Sequence, residues 1–100
     1  MINEKKRVLA IDDNISDLKI ISRYISNAGI ECIGVTAASK GLNIAESDQQ
    51  IDCIVVDNRM PEMDGKEFCR RAKSSTKAKN IPIIMLTGME QIEDIISGLS

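Results

Sequence analysis

Asp12, Asp13 and Asp57 follow directly on two short apolar runs, Val8-Leu9-Ala10-Ile11 and Cys53-Ile54-Val55-Val56. Such runs read as strands of a buried parallel sheet, and two strands ending in carboxylates point to one shared pocket. Two carboxylates ~4 Å apart repel by about 4 kcal/mol at an effective dielectric of about 20, so three together require a cation or bound protons. The chain contains no histidine. Oxygen donors alone suit a hard ion, and a small site with positions left open for water and phosphate suits Mg²⁺ better than Ca²⁺. Thr87, at the end of a third apolar run, is placed to hydrogen-bond an oxyanion held there.

Taken alone, Asp12-Asp13-Asn14 fits helix capping and favourable charge at a helix N-terminus equally well. Asp57 has no such structural role in view, because a Met-Pro turn follows it before the next helix begins. Asp64 reads as a cap rather than a ligand. Met60, Met63 and Met85 read as apolar filler, and Tyr24 and Phe68 as packed aromatics.

The elements that must position these groups alternate between short apolar runs and helical spacing. Asn14 caps a first helix, with Asp17 three residues on, an apolar stripe of Ile15, Leu18, Ile21, Ile25 and Ala28, and Gly29 as the stop. Residues 30–35 form a weaker strand suited to a sheet edge, and residues 39–46 a short helix burying Leu42 and Ala45. After the third strand at 53–56, Asp64 with Glu67 opens a helix carrying Phe68 and Ala72. Residues 82–86 make the fourth strand, and residues 90–99 a helix with Ile92, Ile95, Ile96 and Leu99 on one side. Right-handed crossovers then give an α/β, doubly wound parallel sheet, and for a strand order of 2-1-3-4 the reversal lies between the two strands that end in acid.

The 100 residues, 43% hydrophobic and 28% charged, fit one soluble domain. A net charge of -2 argues against nucleic acid or an acidic membrane surface as a direct partner. The bases between Arg70 and Lys79 read as a solvated helix end and loop. Met1 to Arg7 precedes an apolar stretch too short for a signal peptide or a membrane span, so a cytoplasmic location is the default. Cys32, Cys53 and Cys69, odd in number and without CxxC spacing, read as small buried hydrophobes in a reducing compartment.

With Val55-Val56-Asp57, Met60-Pro61-Glu62-Met63-Asp64-Gly65, Ile11-Asp12-Asp13-Asn14 and Leu86-Thr87, residues 1–100 resemble a response regulator receiver domain of bacterial two-component signalling. The resemblance implies the flavodoxin-like, chemotaxis-regulator-like fold. It makes Asp57 the acceptor of a phosphoryl group from a sensor histidine kinase or phosphotransfer protein. Asp13 and Asp57 become direct Mg²⁺ ligands, Asp12 a helper through water or orientation, Arg59 a backbone-carbonyl ligand, and Thr87 the switch hydroxyl. It also implies an output domain or downstream protein, and no enzymatic activity beyond the domain's own phosphorylation and dephosphorylation.

The same resemblance marks departures. The chain stops at its fourth helix, before the family's fifth strand, fifth helix and lysine, and Gly88 stands where a small residue, often alanine, follows the switch hydroxyl. Bulky Arg59 and Met89 at positions that tune phosphoryl loss imply slow hydrolysis. A receiver acting as a phosphorylation-independent interaction module is the runner-up. A Mg²⁺-dependent phosphatase with an aspartyl nucleophile fits less well, because it wants Asp-x-Asp after the first strand. With strand four as an uncovered edge and one face covered chiefly by the first helix, a homodimer or swapped assembly is expected.

Overall fold

The computed structural model describes residues 5–47, 49–86 and 91–99. Eight elements alternate: β1 (Arg7–Ile11), α1 (Ile15–Asn27), β2 (Glu31–Val35), α2 (Ala38–Ala45), β3 (Cys53–Asp57), α3 (Gly65–Lys73), β4 (Ile83–Leu86) and α4 (Gln91–Leu99). The strands are parallel in the order β2-β1-β3-β4, as expected from the alternation. Apolar side chains of β1 and β3 point alternately to the two faces, which explains why both strands read as continuous apolar runs. Leu9, Ile11, Ile54 and Val56 belong to the core under α2 and α3, built around the fully buried Phe68. Val8, Ala10, Cys53 and Val55 belong to the core on the other face, under α1 and α4.

Helix α1 starts and stops where its sequence signals stand. The Asn14 side chain accepts from the Asp17 amide at 3.0 Å. At the other end Gly29, at φ 81°, donates to the Ser26 carbonyl and Ile30 donates to the Ile25 carbonyl, the paired bonds of a Schellman stop. Ile30, buried against Ile25, belongs to this stop rather than to β2, which begins at Glu31.

Three expectations about packing are corrected. The buried stripe of α1 is Leu18, Ile21 and Ile25; Ile15 is 57% exposed and Ala28, past the last helical residue, is also exposed. Tyr24 does not pack in the core but is 50% exposed. The sheet face over Val8 and Val55 is not left chiefly to α1. Helix α4 lies beside α1 and buries Ile92 and Ile95 there, with Ile96 and Leu99 partly buried against the same core. Strand β4 is the outer strand of the described sheet, and its Ile83, Ile84 and Met85 are half-buried.

Met60 and Met63 are buried in the α2/α3 core and Met85 packs against it, as apolar filler should. Cys53 is buried, whereas Cys32 and Cys69 are only half-buried; all three are free thiols. Among the described residues no helix is long and apolar enough to cross a membrane.

Phe68 and Asn14 mark the two scales of stabilisation. Phe68→Ala removes the largest fully buried side chain and should cost about 3–5 kcal/mol. Asn14→Ala removes one capping hydrogen bond and should cost about 1 kcal/mol. Urea unfolding of both variants measures this, and equal losses would contradict the core described above.

Candidate functional site

Strand register builds the site. Ile11 pairs with Val56, so the residues that follow, Asp12 and Asp57, are brought level at the C-terminal edge of the two central strands. Asp57 in turn pairs with Leu86 of β4. This edge lies where the chain direction reverses, from β1 outward to β2 and from β3 outward to β4, and such a reversal opens a crevice at the strand ends.

Asp12, Asp13 and Asp57 each bring a carboxylate oxygen to that edge, and the three oxygens lie within 4.8 Å of one another. At that separation each pair of ionised groups repels by about 3 kcal/mol at an effective dielectric of about 20. Asp12 is 5% exposed, Asp57 half-buried and Asp13 exposed, so the cluster grades from the protein interior to solvent. A donor set of three carboxylates fits a small hard cation, with open positions toward solvent.

Burial pushes the Asp12 carboxyl above its ordinary 3.8. The Asn14 amide, donating to Asp12 Oδ1 at 2.9 Å, pulls the other way, and the charges of Asp57, Asp17 and Asp13 add to the rise. The same bond makes Asp12 a small turn-former ahead of α1, so the capping role and the site role coincide in one residue.

Irregular but closed, the segment after Asp57 is tied down at both ends. Gly65 donates to the Asn58 carbonyl at 3.2 Å, and a Cβ at Gly65 would meet Met85 Sδ at 2.9 Å and the Asp57 carbonyl oxygen at 3.3 Å. Only glycine allows the start of α3 to come that close to the end of β3. Asp64 accepts from the Glu67 amide at 2.8 Å, so it is a cap. The Glu67 carboxylate does not reach back to complete a capping box. It takes hydrogen bonds from Arg70 and then Arg71, which hold its carboxyl down at about 2.

Arg59 is exposed and, with Asn58, lines two openings. One, of about 570 Å³, is lined by Asp13, Arg59, Asp64 and Lys66 among others. The second, of about 370 Å³, is lined by Asp57, Asn58, Arg59 and Leu86. Thr87 lies outside the described residues, as do Gly88 and Met89. Lys66 went unremarked in the sequence, where nothing distinguishes it from other exposed lysines of a helix start. Glu62 was equally silent, although its carboxylate crosses to Ser39 of α2.

Because the folded chain holds the Asp12 proton more tightly than the unfolded one, this group's contribution to stability falls as pH rises from 3.8 through its raised folded value. Without metal, Asp12→Asn, which keeps an acceptor for the Asn14 amide, should therefore melt at a higher temperature at neutral pH. The gain should shrink on acidification and vanish below 3.8. Thermal melts in chelator across that range measure it, and a gain that grew on acidification would contradict the burial of a charged Asp12.

Comparison with known proteins agrees with this geometry. Residues 8–100 match the response regulator receiver domain. A two-component response regulator of rice, ORR3, is 32% identical over 80 residues, which are 80% of this chain and 61% of that protein. The sensor histidine kinase CheAY of Helicobacter pylori is 36% identical over 93 residues, covering 92% of this chain and 12% of the kinase. The chain thus spans less than two thirds of either relative. Among solved structures, the chemotaxis protein CheY4 of Vibrio cholerae superposes with a TM-score of 0.77 at 30% identity, over 93% of this chain and 81% of that one. Fold, strand-end acids and sequence matches together make this chain a member of the response regulator receiver domain family of two-component signalling.

Proposed function

We propose that Asp57 accepts a phosphoryl group from a phosphohistidine of a sensor histidine kinase or phosphotransfer protein, and that the phosphorylated domain signals to an output domain or a downstream protein in the cytoplasm. The observation that carries this reading is the convergence of three carboxylates at the sheet's reversal, with Asp57 half-buried beside an opening toward solvent. An oxygen of the Asp57 carboxylate attacks phosphorus, and the P–N bond breaks with its electron pair leaving on the imidazole. Such a transfer asks for position and charge neutralisation more than for covalent protein chemistry.

Bound Mg²⁺, with Asp13, Asp57 and the Arg59 backbone carbonyl as its ligands and Asp12 helping through water or orientation, would supply that neutralisation. Without a positive charge among them, the three acids repel an incoming phosphoryl group. Gly65, the Asn58 carbonyl and the buried Met60 and Met63 keep the Asp57 end of β3 fixed during attack. Thr87 is the proposed switch hydroxyl. The matched relatives include a response regulator and a sensor histidine kinase, which supports both kinds of partner.

Strand β4, with half-buried apolar residues on an outer edge, is also proposed to pair with a second copy in a homodimer or swapped assembly. Light scattering over a range of micromolar concentrations should detect the association. A strict monomer whose β4 amides stay protected from exchange would contradict it.

Incubation with Mg²⁺ and a small acyl phosphate should add one phosphoryl mass to the intact chain, and Asp57→Ala should abolish the gain. The same mass gain in the variant would overturn the assignment of Asp57.

A further inference from the structure

The loop that follows Asp57 is attached to α2 by one side chain. Glu62 Oε1 accepts from the Ser39 amide at 2.9 Å, and Oε2 accepts from the Ser39 hydroxyl at 3.0 Å. The two residues are far apart in sequence and belong to different crossovers. Helix α2 lacks a cap of its own, because its N-cap residue is Ala37, whose side chain makes no such bond. Glu62 therefore does from another element what an Asn or Ser at position 37 would do locally.

The helix it grips is seated on β1. A Cβ at Gly41 would lie 2.9 Å from Ile11 Cγ1 and closer still to Ile11 Cδ1, so α2 rests with almost no clearance on the residue that precedes Asp12. At the other end of the tether, Glu62 stands between two buried anchors, Met60 and Met63. One carboxylate thus links the segment carrying Arg59, on the Asp57 side of the site, to a helix fixed against the strand carrying Asp12. The bonds from Ser39 hold the Glu62 carboxyl below its ordinary range, with the Arg71 charge acting the same way, so the tether is ionised at neutral pH.

We infer that Glu62 is a positioning residue: by capping α2 from the loop after β3, it fixes the loop that carries Arg59, and with it the Arg59 backbone carbonyl, relative to the strand ends, where the β1–β3 register holds Asp12 and Asp57. This rests on the phosphoacceptor function proposed above, with Glu62 touching neither phosphoryl group nor ion. Two bonds to one residue fix the direction of the loop as well as its distance; groups that bond a metal ligand directly commonly change metal affinity by about 10–100-fold, and a tether that acts through the backbone belongs at the low end of that range.

The test compares Glu62→Ala and Glu62→Gln in the intact chain, with Glu46→Ala as an exposed acidic control. Amide exchange is read at Ser39 and at Asn58, Arg59, Met60, Glu62 and Met63, Mg²⁺ half-saturation by titration, and the rate of labelling by a small acyl phosphate at saturating Mg²⁺. In Glu62→Ala, the Ser39 and loop amides should exchange faster, and Mg²⁺ half-saturation should rise by about tenfold. Glu62→Gln, which keeps an acceptor oxygen, should recover most of both effects. The unfolding midpoint should fall no further in Glu62→Ala than in Asn14→Ala, which likewise loses one helix cap. Unchanged loop exchange and unchanged Mg²⁺ half-saturation in Glu62→Ala would overturn the inference whether or not the parent chain is labelled. A parent that binds Mg²⁺ but takes no label would overturn the phosphoacceptor reading instead, leaving exchange and titration to decide on the tether.

Discussion

The arrangement that the rest of the structure serves is an unfavourable one: three carboxylates held within 4.8 Å at the end of two neighbouring strands. Locally the Asn14 amide steadies Asp12, but no local bond holds the three together against their repulsion. The register of β1 against β3 does, and that register is locked because both faces of both strands are buried. Sliding either strand by one residue would exchange the side chains between the two cores, turning Ile11 and Val56 from the α2/α3 side to the α1/α4 side. The core thereby supplies the free energy that keeps the acids together, and the cost is felt most at Asp12, the member that water reaches least. Such a site is incomplete without positive charge, which is the physical basis for reading it as a cation and phosphoryl site rather than as surface acid.

Much of the remaining architecture steadies the segment between Asp57 and α3. Gly65 closes it on Asn58, Met60 and Met63 root it in the core, Asp64 caps the next helix, and Glu62 reaches to α2. The segment has no regular secondary structure, yet its polar and apolar anchors together reach the core, α2 and α3. The Met-Pro-Glu-Met-Asp-Gly string is therefore a set of tethers as well as a turn. This gives each residue type in the string a reason: apolar length at 60 and 63, a long acid at 62, a short capping acid at 64, and no side chain at 65.

The sequence made legible those features whose cause is local. Apolar runs ending in acid marked β1 and β3, Asn14 and Asp64 marked helix starts, and Gly29 marked a stop, because each acts through its own backbone neighbours. Ile15 and Tyr24 misled because an apolar residue roughly 90° from the centre of a helical stripe can lie on either side of the boundary with solvent. The side taken depends on how far the neighbouring elements wrap around the helix. The placement of α4 was hidden for a related reason. Ile92, Ile95, Ile96 and Leu99 reveal which side of the helix is buried, but not which face of the sheet it covers. The Glu62–Ser39 bond joins residues on separate crossovers, and no spacing rule connects them.

The central claim is that the strand register assembles a cation site from Asp12, Asp13 and Asp57, and calorimetric titration with Mg²⁺ at neutral pH tests it most directly. The intact chain should bind one Mg²⁺. Asp13→Ala, whose side chain is exposed and contributes nothing to either core, should lose that binding while keeping a cooperative thermal transition. Unchanged Mg²⁺ affinity in Asp13→Ala would contradict the claim, because the exposed member of the cluster would then have no part in the site.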